Sequence, residues 1–348
     1  LKRLMLEAYR STAAYDCMIS EYLGGVFPTE QFPKYLTLGM EKVQDLRYGE
    51  NPSQAAAFYA DPFAKGVAAS RLEKLHGKEI SFNNILDIES ALSLLREFED
   101  RACAVVIKHT NPCGIACDDN IYDAFVTAYN VDSLAAFGCV IGLNRECDAA
   151  TADEISKHFV EIVMAPSFSD EALEILTRKK NVRIMRTNEA VTLADPPTLK
   201  MKYVKGGMLV QTADNSQVTR DNLRVVTNRA PTEEELKTLL FANRVVKHIW
   251  SNTVILAKGE RVVGIGAGQM SRVDSSFIAG HKAGEDAKGS VMASDAFFPF
   301  RDGVDEAAKV GATAIIQPGG SIRDEEVIQA ANEHNMAMVF TGSRVFRH

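Results

Sequence analysis

Apolar residues recur at helical spacing along residues 1–23, where Leu4, Leu6, Ala8, Tyr9 and Ala13 share the pattern and Gly24 and Gly25 mark a stop. The spacing predicts one or two helices. The prolines and glycines of GGVFPTEQFPKY then mark a boundary around residues 24–34. Beyond it, strand-like and helix-like patterns alternate. Strands are predicted over 102–108, 138–143, 160–164 and 182–186, and helices over 120–130, 151–158 and 169–178. A more polar stretch over 187–224 holds one strand in GGMLVQ and sets a division near residue 200. APTEEELKTLLFANRVVKHIW then reads as a long helix capped by Thr232, with acids in its first turn. Strands over 253–257, 261–266 and 312–316, a helix over 303–310 and another after Ser321 resume the alternation. Two similar α/β halves are expected.

The length of 348 residues suits two domains, and 46% apolar with 24% charged residues is an ordinary globular balance. A net charge of −7 argues against broad nucleic-acid binding while leaving room for a local pocket holding one small anion. The six cysteines, at 17, 103, 113, 117, 139 and 147, form no regular framework, and no apolar run is long enough for a membrane span. No signal peptide is read at Leu1, the start looks cut, and a cytoplasmic setting is expected.

VVIKHTNPCG, residues 105–114, puts Lys108 and His109 at the end of a buried strand, on the edge where open α/β sheets gather ligands. Asn111, Pro112 and Gly114 are expected to build the turn that follows. The plain alternative is a strand end pointing into solvent. His109, Cys113 and Cys117 also suggest zinc, as in a cytidine-type deaminase. That pattern needs HxE and PCxxC, whereas PCGIAC has three residues between its cysteines and no His is followed two places later by Glu.

Other stretches are richer than connections require. LRYGENPSQAAAFY gathers Arg47, Tyr48, Asn51 and Gln54, against the plain reading of a solvated loop. GIGAGQMSR lacks GxGxxG spacing and a following helix with an acid, so its glycines are assigned to backbone crowding near a ligand, with Arg272 available for an anion. In QPGGSIRDEEVIQAA, Ser321, Asp324, Glu325 and Glu326 satisfy a helix start by themselves. SDAFFPFRD is a core anchor or a flat-ligand wall. TGSRVFRH would ordinarily be a frayed tail.

Taken in order, LRYGENPSQ, SFNN, KHTNPCG, SNTVILAK, GIGAGQMSR, MASDAFFPFRD, PGGSIRD and RVFRH resemble the transformylase portion of the bifunctional AICAR formyltransferase/IMP cyclohydrolase family. The resemblance covers about residues 36–348. Residues 1–23 are similar to the last helix of the cyclohydrolase half, so cyclohydrolase activity is expected to be absent from this chain. The resemblance implies an α/β fold of duplicated cytidine-deaminase-like three-layer domains without catalytic zinc. Its boundaries fall at 1–34 for the remnant helix and linker, 35–200 for the first domain and 201–348 for the second.

The activity so implied is transfer of a formyl group from 10-formyltetrahydrofolate, a cosubstrate, to the 5-amino group of AICAR in purine biosynthesis. Catalytic positions carried over are Lys108, His109 and Asn252, with His109 as general base and the other two as donors. Nucleotide-site positions are Arg47, Tyr48, Asn84, Gly138, Glu161, Arg272, Phe297, Arg344 and His348, the arginines holding the ribose phosphate. Folate positions are Phe137, Val273 and Asp302. The resemblance further implies a homodimer with shared active sites, allows a structural monovalent cation, and involves neither nucleic acid nor membrane. Two departures stand out: Ser53 replaces a His common in GENPHQ, and Glu161 an Asp of some members. The runner-up activity is a zinc-dependent nucleoside or base deaminase. A third reading is an idle fragment or a purine-binding regulatory module.

Overall fold

A computed structural model describes residues 1–27, 30–193 and 199–348. Its first helix, α1 (Lys2–Val26), runs through Gly24 and Gly25 and ends at Phe27, where the backbone becomes extended. A helical glycine costs only about 1 kcal/mol, too little to end this helix early. No residue of α1 is buried. β1 (Glu41–Leu46) and β2 (Ala56–Ala60) form an antiparallel hairpin apart from the main sheet. The expected linker and the division near residue 200 fall partly outside the described residues.

The first half of the main body contains β3 (Glu73–His76), α2 (Phe82–Leu95), β4 (Ala102–Lys108), β5 (Asn111–Asp118), α3 (Ile121–Asn130), β6 (Cys139–Leu143), α4 (Ala149–Ser156), β7 (Val160–Ala165), α5 (Asp170–Thr177) and β8 (Arg183–Arg186). A separate hairpin of β9 (Leu199–Val204) and β10 (Gly207–Thr212) intervenes. The same order then recurs as β11 (Arg224–Val225), α6 (Glu233–Val246), β12 (Val254–Lys258), β13 (Arg261–Gly266), α7 (Arg272–Ala283), β14 (Val291–Ser294), α8 (Asp302–Lys309), β15 (Ala314–Gln317), α9 (Asp324–Glu333) and β16 (Ala337–Phe340).

One sheet of 12 strands joins both halves in the order β11, β16, β15, β14, β12, β13, β5, β4, β6, β7, β8, β3. Each half has an antiparallel hairpin at the centre and three parallel strands outside it. The halves meet where Arg261 lies opposite Ala116 and the Cys117 N–H donates to the Glu260 carbonyl at 2.8 Å.

Alternation along the strands makes three layers, because successive side chains leave opposite faces. Cys103, Val105 and Ile107 pack with α2, in a core that also takes in α6 and the matching strand faces of the second half. Ala102, Ala104 and Val106 pack on the other face with α3, α4 and α5. A separate core beneath α7, α8 and α9 serves the second half. Strands buried on both faces explain why the sequence shows continuous apolar runs here.

Several expectations need correction. β5 begins at Asn111, so the residues expected to form the turn are the return strand, and Pro112 sits there because the register shifts between Val106 and Ile107 as in a bulge. The helix capped by Thr232 stops at Val246, with His248 N–H bonding to the Val245 carbonyl, which leaves Trp250 on a loop. A helix does follow GIGAGQMSR: α7 starts at Arg272 behind a Ser271 cap. The remaining predicted elements lie within a few residues of the observed ones.

Candidate active site

The β4–β5 hairpin has a two-residue turn, with Lys108 paired to Asn111 and His109 and Thr110 between them. Both turn residues have positive φ, 52° and 63°, as a type I′ hairpin requires. Neither is glycine, and Thr is branched at Cβ. Such backbones cost about 1–3 kcal/mol each and persist only where surroundings hold them. His109 is therefore the turn itself, where the sequence placed it on the last strand position.

The surroundings do hold it. Asp87 Oδ1 on α2 accepts the Thr110 N–H at 2.7 Å, and Trp250 Nε1 donates to Thr110 Oγ1 at 2.7 Å. Burial raises the Asp87 carboxyl above the ordinary range, with the Thr110 N–H and the charge of His109 pulling it back and Glu161 adding to the rise. Lys108 follows the alternation of β4 toward the α3 face, where its Nζ donates to the Phe137 carbonyl at 2.7 Å. Gly138 next to it has φ 76° and donates its N–H to the Phe159 carbonyl at 2.8 Å. An L side chain would be strained there.

Asn84 is the third residue of α2, and its Oδ1 accepts the Ser81 N–H in a capping box. Its Nδ2 donates to Glu161 Oε2 at 3.0 Å, a carboxylate that Arg183 also approaches at 3.5 Å. This joins α2 to β7 beside the His109 turn.

The second half supplies a matching group. Arg272, in the first turn of α7, donates from Nη2 to Asn252 Oδ1 at 2.8 Å, and its Nη1 bonds Asp295 and the Ser294 hydroxyl. Asn252 Nδ2 gives its hydrogens to the carbonyls of Gln269 at 3.0 Å and Met270 at 3.2 Å. The Arg272 guanidinium thus braces Asn252, and both amide hydrogens of Asn252 lie on carbonyl oxygens. The glycines of β13 make this possible: a Cβ on Gly264 would lie 2.1 Å from the Ala279 carbonyl, and one on Gly266 1.9 Å from that of Ser275. The crowding that requires glycine comes from α7, where a ligand had been expected.

Of the aromatic cluster, Phe298 is fully buried, as a core anchor would be, while Phe297 and Phe300 are 38% and 48% exposed. The C-terminal segment is tied down: Val345 N–H donates to the Asp295 carbonyl at 2.8 Å and the Ser251 N–H to the Arg347 carbonyl at 2.9 Å. Arg344 lies over the Phe346 ring and Phe346 packs on His348.

The structure thus joins Lys108, His109, Phe137, Gly138, Asn84 and Glu161 around the first hairpin, and Asn252 with Arg272 in the second half. Trp250 links the groups, its N–H donating to Asn111 Oδ1 at 3.2 Å. Val273 follows Arg272 on α7, and Asp302 opens α8. Arg47 and Tyr48 stand apart beside β1, the guanidinium over the ring. Among the described residues, their loop reaches this region through Asn83 Nδ2, which approaches the Glu50 carbonyl at 3.4 Å. Sequence reasoning missed Asp87, Trp250 and Asp295. Asp87 was signalled by its place one helical turn after Asn84.

The deaminase reading meets a geometric obstacle. Cys117 packs in the core with α2 and α6, whereas Cys113 packs against the opposite one with α3, so the two sulfurs of PCGIAC lie on different faces of the sheet. Among the described residues no group of three or more His, Cys, Asp or Glu is placed to hold a metal ion. Burial also pushes the Cys113 thiol up to about 11 and that of Cys139 to about 12, away from nucleophilic thiolates.

A family model described as the AICARFT/IMPCHase bienzyme matches residues 1–282. The bifunctional purine biosynthesis protein PurH of Acetivibrio thermocellus is 49% identical over 346 residues, covering 99% of this chain and 67% of that protein. PurH of Bacillus cereus strain B4264 is 50% identical over 347 residues, with coverage of 100% and 67%, and PurH of Bacillus anthracis is 49% identical over the same length. With matches of this extent and the KHTNPCG hairpin, Asn252 and Arg272 built into one fold, the chain belongs to the AICARFT/IMPCHase bienzyme family.

Proposed function

We propose that this chain transfers the formyl group of 10-formyltetrahydrofolate to the 5-amino group of AICAR, giving FAICAR and tetrahydrofolate in purine biosynthesis. The observation that carries the reading is the rigid His109 turn beside an anchored Lys108, in a chain of this family. The aminoimidazole nitrogen is a weak nucleophile because its lone pair is delocalised, so it must be oriented and relieved of a proton. His109 accepts that proton as the nitrogen bonds to the formyl carbon. The tetrahedral intermediate collapses by breaking the bond to folate N10, which leaves with a proton from Lys108. Asn252 joins when its longer bond to the Met270 carbonyl is exchanged for the formyl oxygen.

Asn84, Gly138, Glu161, Phe297, Arg344 and His348 are proposed to hold AICAR, with Arg47, Tyr48 and Arg272, and Phe137, Val273 and Asp302 to receive the folate. The recurring element order supports duplicated cytidine-deaminase-like domains over 35–200 and 201–348. The spacing of PCGIAC supports chemistry without zinc. A helix α1 with no buried residue, exposing Leu4, Met5 and Tyr9, supports a homodimer with shared sites. We place the protein in the cytoplasm, with a structural monovalent cation as an optional ligand.

Single-turnover reaction of the purified chain with AICAR and 10-formyltetrahydrofolate tests the assignment. Stoichiometric FAICAR is expected. No formyl transfer, together with one tightly bound zinc per chain, would overturn it.

A further inference from the structure

Thr110 makes three hydrogen bonds, one through its N–H and two through its hydroxyl. Its N–H goes to Asp87 on α2 of the first half, and its hydroxyl accepts from Trp250 Nε1, which belongs to the second half. That hydroxyl in turn donates to the His109 carbonyl at 2.6 Å. Trp250 is the only tryptophan of the chain. The Arg347 guanidinium lies over the ring, 5.2 Å from its centroid, and Arg347 Nη2 returns to Ser90 on α2 at 3.1 Å. A closed ring of contacts therefore runs from α2 through the turn and Trp250 to the C-terminal segment and back to α2.

Two consecutive non-glycine residues with positive φ do not hold such a backbone unaided. Asn111 adds a weaker tie, its Nδ2 lying 3.3 Å from the His109 carbonyl while its Oδ1 accepts from the Trp250 N–H. Three of these bonds, from Asp87, the Thr110 hydroxyl and Asn111 Nδ2, end on the peptide group between His109 and Thr110, which sets the direction of the His109 side chain.

We propose that Asp87 and Trp250 are positioning residues of the formyl-transfer site: from opposite halves they grip the backbone N–H and the hydroxyl of Thr110 and so aim His109. The inference rests on His109 being the general base. It makes the base depend on the second half, so that packing of Arg347 and Trp250 is felt at a residue of the first.

The test uses the full chain and steady-state formyl transfer from 10-formyltetrahydrofolate to AICAR. Trp250→Phe keeps an aromatic side chain and removes the indole N–H, and Thr110→Val keeps the branching and removes the hydroxyl. Each is expected to lower kcat by about 10–100-fold, the scale of a misplaced reacting group, with little change in KM for AICAR. Thr110→Ser keeps the hydroxyl and restores kcat. The double variant Trp250→Phe/Thr110→Val is expected to lose no more than Thr110→Val alone, because the bond that Trp250→Phe removes is already gone in Thr110→Val, which also loses the hydroxyl's bond to the His109 carbonyl. Asp87→Ala is expected to lower kcat more than Asp87→Asn, which retains an acceptor oxygen for the Thr110 N–H.

Wild-type kcat in folded Thr110→Val, or additive losses in the double variant, would overturn the proposal. His109→Ala in the same assay separates the two readings. Retained turnover there removes His109 as base, whereas lost turnover with a fully active Thr110→Val removes only the positioning role. Should Trp250→Phe not fold, the Thr110→Val and Thr110→Ser comparison decides alone.

Discussion

His248 Nε2 and Glu97 Oε1 lie 2.8 Å apart, the histidine just beyond α6 and the glutamate just beyond α2, so a buried acid and a buried base join the two halves. Lys247 Nζ stands 3.3 Å from the same oxygen, and Gln217 donates to Oε2 at 3.2 Å. Burial pushes the Glu97 carboxyl up, but the His248 bond, the two neighbouring bases and Gln217 outweigh it and hold it at about 2. Burial lowers His248, with Glu97 partly offsetting.

Both shifts have the same consequence. A carboxyl with a depressed folded pKa contributes stability above its unfolded value near 4.5, lost as pH falls toward about 2. A histidine with a depressed folded pKa loses stability as pH falls below its ordinary 6.5. Glu97→Gln is expected to cost about 3 kcal/mol at pH 7 by leaving the Lys247 ammonium without its carboxylate, and to flatten the acid limb of the stability curve. Urea unfolding of both proteins from pH 3 to 8 measures it, and an unchanged acid limb would refute the link.

Replacing His109 with Ala is expected to reduce turnover at least ~100-fold, the lower range for a positioned acid or base. Near-normal formyl transfer by folded His109→Ala would remove it from the mechanism.

Arg272 and Asp295 are both buried and bonded to one another. Arg272→Met leaves that carboxylate uncompensated and is expected to destabilise by about 3–5 kcal/mol. Arg272→Lys keeps the charge without the planar fork that reaches Asn252, Ser294 and Asp295 together. It should fold and yet lose turnover. Thermal unfolding paired with the transfer assay separates these outcomes.

At Gly266, alanine would need space occupied by the Ser275 carbonyl. Gly266→Ala is expected to destabilise by about 1–3 kcal/mol, as overpacking does, and to weaken Asn252 bracing by shifting α7. Gly268→Ala meets no atom within 4 Å and bears only the strain of φ 66°, so a larger loss there than at Gly266 would contradict the packing argument.

The apolar runs of β4 and β6 and the cap at Thr232 were legible because each is a local pattern, whereas α9 starts behind Arg323, without the side-chain cap expected from Ser321. β5 was not, since Pro112 and Gly114 are turn residues on any local reading and only the bulge opposite Val106 makes them a strand. Lys108 and His109 could be singled out, but not that His109 is the turn, because Asp87 and Trp250, which hold it, come from 22 residues before and 141 after. Arg272 was legible as a cation and illegible as a brace, its partners lying at Asn252 and Asp295.

The shared α2–α6 layer has a thermodynamic corollary. Although the chain repeats one arrangement twice, the hydrophobic cluster beneath these helices draws strands from both copies, so neither copy can melt without exposing the other's interior. Differential scanning calorimetry should therefore register a single endotherm, with calorimetric and van't Hoff enthalpies in agreement, where two independent modules would give two.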